Sequence, residues 1–226
     1  MKQHILKRSV AVLCLILSGL FLIRSSAFAA AGKEKIPTFV ADVSKVPDLQ
    51  PWGLAAESLC RDWYPKISVI LRTDDKKRSM PPLVKLVFEK MDGVAYSNGT
   101  EIHISADWVK KQPMDFGMVI HELTHIVQRY PNYKAGWLVE GIADYVRHKH
   151  FETLIALPKI DFTRAKYTDA YKTTAHFLIF LESKYGEKLV PELNAALLAG
   201  KYEDDLFVKL TGKALPDLWL EFKDAK

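Results

Sequence analysis

Three observations predict an α+β fold, a small mixed sheet followed by a mostly helical C-terminal part. Residues 83–105 hold two segments of alternating side chains around an Asn98-Gly99 pair. From Asp115 onward apolar residues recur every three or four positions instead. The composition, 49% hydrophobic and 26% charged, suits an ordinary globular chain and excludes collagen-like, coiled-coil and largely disordered classes. Strands first and helices after is an α+β order.

At the N-terminus, Lys2, Lys7 and Arg8 precede a 14-residue apolar run, Val10 to Ile23, and the small-residue site Ala27-Phe28-Ala29 follows. This is the layout of a secretory signal peptide, and the run is shorter than the roughly 20 residues that span a bilayer. The expected organisation is a signal peptide over residues 1–29 and a single domain over 30–226, secreted or periplasmic, with no stable membrane association after cleavage. Residues 1–29 carry four basic and no acidic side chains, so their removal takes the net charge from +5 to about +1. No basic field remains to attract nucleic acid. Cys14 leaves with the leader. Cys60 is then alone, so no internal disulfide can form, and it reads as a buried helix residue.

The elements follow in order. Leu54, Ala55, Leu59 and Trp63 predict a helix over Asp48–Trp63, ended or bent at Tyr64-Pro65. Residues 73–82 read as a charged, proline-rich loop. Leu83–Glu89 alternates as a strand. Val94–Ser97 and Thr100–Ser105 read as a hairpin with Asn98-Gly99 at its tip, because both residues tolerate positive φ. The same turn accounts for the Asn98-Gly99-Thr100 sequon without a glycan. Asp115 is placed to cap a helix over Phe116–Tyr130 that Pro131 stops. Further helices are expected over Trp137–His150, Asp169–Tyr185, Glu187–Ala199 and Leu215–Phe222, two of them closed by Gly186 and Gly200.

The chemistry is concentrated in His121-Glu122-Leu123-Thr124-His125. Four residues apart on a helix, the two imidazoles share a face and reach one metal ion. Glu122 points to the side, where it holds water rather than metal and accepts its proton. Zinc needs a third protein ligand and an open position. A third histidine in the H-E-x-x-H-x-x-G-x-x-H arrangement is excluded, because Gln128 and Pro131 stand where glycine and histidine are required. Pro131, Asn132 and Gly136 reverse the chain and lay the next helix beside the first. Its Glu140 and Asp144 share a face: Glu140 can ligate the metal while Asp144 accepts the outer N–H of a ligating histidine. Exchanged roles, with Asp144 as the ligand, or an acidic helix start with solvated carboxylates, are the alternatives.

His-Glu-Leu-Thr-His-Ile-Val-Gln followed by Trp-Leu-Val-Glu-Gly-Ile-Ala-Asp-Tyr-Val-Arg resembles the basic secretory protein family of plants and bacteria, regarded as zincin-type metallopeptidases. The likeness takes in Asp62-Trp63-Tyr64-Pro65 upstream and Tyr167 to Ala175 downstream, roughly Val40 to Phe222 in all. Ala170 stands where the family pattern has glycine, and the near-neutral mature charge departs from the family's name. The resemblance implies a zincin-like fold, with an H-E-x-x-H active-site helix, that hydrolyses peptide or protein substrates. It implies one zinc ion per chain on His121, His125 and Glu140, with Glu122 as general base. It also implies that a strand edge, here the hairpin Val94–Ser105, receives the substrate.

Tyr167, Tyr171 and His176 are candidates for the donor that stabilises the oxyanion. Tyr171 is the one carried forward, although it shares a helix face with Ala175 and Leu178 and so reads first as a core residue. His103 reads as a surface histidine, and His148 and His150 as a solvated helix end. Gln128 lines the site or bonds to backbone. Two other functions fit the same residues: a secreted binding or defence protein stapled by zinc, and a zinc hydrolase of another amide. Glu122 argues against the staple, which needs ligands but no base.

Overall fold

The computed structural model describes residues 36–73, 80–156 and 159–225. The signal-peptide reading lies outside them, as does most of the charged loop. Among the described residues no helix is long and apolar enough to cross a membrane.

The architecture is α+β. A four-stranded mixed sheet runs in the order β1-β2-β4-β3, from β1 (Thr38–Asp42), β2 (Leu83–Glu89), β3 (Ala95–Ser97) and β4 (Glu101–Ser105). β2 pairs parallel with both β1 and β4, whereas β3 pairs antiparallel with β4. Val84, Leu86, Phe88, Ile102 and Ile104 are buried on one face. Lys85, Glu89, Glu101 and His103 lie on the other, which is the period-2 alternation of a sheet covered on one side. β1 has no counterpart in the sequence reading. Of its five residues only Phe39 is fully buried, so the strand exists because β2 offers a parallel edge in the register Thr38↔Leu83 to Asp42↔Val87.

The hairpin forms one residue away from its expected tip. Ser97 faces Ile102, which leaves Gly99 and Thr100 as the turn, with Gly99 at φ +92°. Asn98 closes the turn from its flank: its Oδ1 accepts from the backbone N–H groups of Thr100 (3.2 Å) and Glu101 (2.9 Å).

Helix α1 (Gln50–Ile70) continues through Pro65 instead of ending there. Ala56, Cys60, Tyr64, Ile67 and Leu71 form one buried stripe at helical spacing. Burying Ile67 and Leu71, at about 1.5–3 kcal/mol each, offsets the roughly 3 kcal/mol a proline costs inside a helix. Cys60 is the buried free thiol that its setting predicts, and burial pushes its pKa up.

A short α2 (Ala106–Lys111), unassigned from periodicity, starts where Ser105 Oγ accepts from Trp108 N (3.3 Å). α3 (Gly117–Gln128) carries the histidines, and Asp115 Oδ1 accepts from Met118 N (3.3 Å) as a cap. Arg129 ends α3 in the left-handed region, φ 38°. α4 (Gly136–Tyr145) runs on into a π-helical turn, Val146–Phe151. Then come α5 (Tyr171–Tyr185), α6 (Leu189–Leu198), α7 (Asp205–Thr211) and α8 (Leu215–Asp224). Phe162, Tyr167, Phe177, Trp219 and Phe222 form an aromatic cluster that seats α8 against α5. α3 packs against α1, β3 and β4 on one side and the π-helical turn on the other. The two histidines are thereby held between the sheet and α4.

Candidate metal centre

His121 and His125 lie one turn apart on α3, and Glu140 comes from α4. Their ligating atoms converge. His121 Nε2 is 3.1 Å from His125 Nε2, and Glu140 Oε2 is 3.1 Å from the first and 3.4 Å from the second. These three residues form a group able to hold a metal ion.

The far side of each ring explains why the near side is bare. His121 Nδ1 lies 2.7 Å from Asp144 Oδ1, a carboxylate that can only accept, so Nδ1 carries the proton. Gln128 Nε2 donates to Val139 O (3.3 Å), which turns its Oε1 toward His125 Nδ1 at 2.7 Å. Gln128 thus does both things proposed for it, bonding to backbone and lining the site. With both Nδ1 atoms protonated, two imidazole lone pairs and a carboxylate oxygen face one another at hydrogen-bond distance. Three electron-rich atoms in that arrangement repel unless positive charge sits among them.

The titration of the cluster expresses the same demand. Burial works against a charged His121, but the hydrogen bonds it gives to Asp144 and Glu140 outweigh it and push its pKa up to about 9. Burial raises Glu140, yet His121 and His125 bring it down to about 2. Asp144 is likewise lowered despite burial, through His121 and His148.

Glu122 is buried beside this group without belonging to it. Burial raises its carboxyl, while the two imidazoles, and to a smaller degree Ser97 on β3, lower it. The arrangement therefore separates three convergent atoms that could hold a metal ion from one neighbouring buried carboxyl.

The sequence pattern of a protein family described as "Peptidase of plants and bacteria" (BSP) matches residues 55–222. The chain belongs to this family. No curated protein and no solved structure matches it. The matched span includes α3, α4 and the N-terminus of α5, and membership of a peptidase family implies peptide or protein substrates.

Among the residues of this peptidase considered as oxyanion donors, the structure separates three positions. Tyr171 stacks on His121, ring centroids 5.9 Å apart, and is 55% exposed, so it is not a core residue. Tyr167 packs instead against Trp137, Phe177 and Trp219. His176 lines a different cleft, with Arg164 and Lys172. His103 is stacked on Tyr96 between Glu89 and Glu101 on the polar face of the sheet, outside the convergent group.

His148 departs from its reading as part of a solvated end. The π-helical turn packs against α3 and buries it between Asp144 and Glu152. Sequence reasoning missed Ser97 and also Tyr133, whose phenol is raised by burial and by the charges of Glu140 and Glu122. Ser97 lies in the expected hairpin strand but carries no signal of its own, and Tyr133 sits in a turn segment without periodicity.

Two small contacts place Tyr171. Gly141 on α4 meets Thr174 on α5 so closely that an added Cβ would lie 2.1 Å from Thr174 Cγ2. The chain then enters α5 through Ala170 at φ 62°, ψ −168°, a region kept almost wholly for glycine. Ala170→Gly is expected to relieve about 1–3 kcal/mol of strain, less the roughly 0.4–1 kcal/mol that glycine's freer unfolded chain costs. The melting temperature should rise by about 2–4 °C per kcal/mol gained. A calorimetric scan in which the variant melts below the parent would show the alanine to be unstrained.

Proposed function

We propose that this chain is a zincin-like, zinc-dependent metallopeptidase, secreted or periplasmic, that hydrolyses peptide bonds with Glu122 as general base. One zinc ion per chain is held by His121, His125 and Glu140, and Asp144 orients His121. The observation that carries this reading is the convergence of two bare Nε2 atoms and one carboxylate oxygen, with Glu122 buried next to them but outside the group. Tetrahedral zinc with bonds of about 2.0–2.1 Å requires ligand atoms about 3.3 Å apart, and the three separations here are 3.1, 3.1 and 3.4 Å.

Zinc, when bound, supplies a Lewis acid that polarises a carbonyl and lowers the pKa of water toward 7. The protein's own groups handle the protons. Glu122 takes the proton of the attacking water on its carboxylate and passes it to the departing amine nitrogen as the C–N bond breaks. Its burial on α3 keeps it aimed at that position. Tyr171, exposed above His121, offers a phenol O–H to the carbonyl oxygen as negative charge develops there. The position of β3 at the end of the sheet, among the described residues, and its packing against α3 support docking of an extended peptide along it.

Metal analysis of the purified protein should find one zinc per chain. Casein cleavage should stop with chelator and return with added zinc. Stoichiometric zinc without cleavage of any tested peptide would favour the stapled binding protein.

A further inference from the structure

Behind the metal centre, buried and half-buried groups of alternating charge run from His121 back to the start of α3. Asp144 Oδ1 takes the Nδ1–H of His121, and its other oxygen faces His148 Nε2 at 3.7 Å, an ionic contact longer than a hydrogen bond. His148 Nδ1 lies 2.9 Å from Glu152 Oε2. Glu152 Oε1 accepts from Arg147 Nε (3.0 Å), and Arg147 donates to Asp115 Oδ1 at 2.8 Å. Asp115 also takes the N–H groups of Met118 and Trp108 Nε1, which returns the series to the first turn of α3.

The backbone is adapted to this series at two points. The N–H of Glu152 bonds to Arg147 O at 2.8 Å, the wide i→i−5 link of a π-helix, a form found often at functional sites. Opposite it on α3 is Gly117, where an added Cβ would sit 2.0 Å from Glu152 Oε1 and 2.5 Å from Arg147 Nε. A side chain at this position would have to displace the Arg147–Glu152 pair.

The side chains of His148 and Asp144 are each only 6% exposed. A carboxylate so buried needs opposite charge nearby. Both nitrogens of His148 face carboxylates: Nδ1 lies at hydrogen-bond distance from Glu152, whereas Nε2 meets Asp144 through charge and not through a hydrogen bond, so both acids favour the imidazolium. We propose that His148 is a positioning residue for the metal centre: held between Glu152 and Asp144, it fixes the Asp144 carboxylate so that His121 keeps the tautomer and ring angle that present Nε2. This inference rests on the metal reading given above and extends it to residues that touch neither metal nor substrate.

A double-mutant cycle with zinc as the probe tests it. His148→Asn is made in the parent and in an Asp144→Asn background, and zinc affinity is measured by competition with a chromophoric chelator. Partners of a ligating histidine typically carry 10–100-fold in metal affinity. Acting one group further out, His148→Asn should weaken zinc by about 10-fold in the parent and by less than about 2-fold where Asp144 is already changed. Equal losses in both backgrounds would overturn the proposal. So would a lower melting temperature of the metal-free protein with unchanged zinc affinity. If His148→Asn does not fold, Glu152→Gln loosens the same imidazole from behind and should show the same pattern at a few-fold scale, or overturn the proposal by showing none. A parent protein that binds no zinc would remove the underlying metal reading as well, whereas a zinc-binding parent indifferent to His148 would sink this inference alone.

Discussion

Glu122→Gln should cut peptide hydrolysis by at least about 10²-fold while zinc stays bound, since a positioned acid–base group is worth roughly 10²–10⁴-fold in rate. The substitution keeps the shape and volume of the side chain and removes only its capacity to hold a proton. Glu122 lies outside the group of convergent atoms, so metal content and melting temperature should match those of the parent. Casein is a suitable substrate, being unstructured and rich in sequence contexts. Undiminished cleavage by the variant would show that another residue is the base.

The second large effect separates the two acidic residues of α4. Glu140→Ala deletes one of three convergent atoms and should abolish stoichiometric zinc at concentrations that saturate Asp144→Asn. The latter variant should bind about 10–100-fold more weakly than the parent, as expected when an outer partner of a ligating histidine is lost. The geometry behind this distinction is simple. Asp144 meets His121 at Nδ1, on the far side of the ring from Nε2, whereas Glu140 meets Nε2 itself. Equal zinc affinity of the two variants, or a metal-bound structure with Asp144 coordinating and Glu140 turned to solvent, would reverse the assignment.

Much of this site is legible in the chain because its information is local. His121 and His125 face one way since 3.6 residues make a turn, whatever surrounds the helix. The stop at Pro131 and the reversal before Trp137 put Glu140 within reach, and the matched family pattern spans the same residues. Local rules failed where burial competed with them. Pro65 reads as a helix end, yet the stripe through Ile67 and Leu71 carries α1 past it. Asn98-Gly99 reads as a turn tip, yet the Asn98 side chain bonds forward and shifts the tip to Gly99-Thr100. β1 is too short to show a period and forms through its parallel neighbour.

By itself, then, the sequence determined the α+β order, the two histidines with their neighbouring carboxylate, and the pair of acids one turn apart on the following helix. The α+β order is written in the change of period along the chain, and the other two within ten or so residues, where backbone geometry alone sets which side chains share a face. Only the tertiary structure decided which acid meets which nitrogen, that Tyr171 stands over His121, that Ser97 reaches Glu122, and that His148 is buried instead of solvated. Those outcomes depend on how closely separate elements approach: α4 on α5 at Gly141 and Thr174, α3 on the π-helical turn at Gly117, and α3 on β3. An approach of that kind is fixed by the volume of side chains distant in sequence, and no periodicity within one element records it.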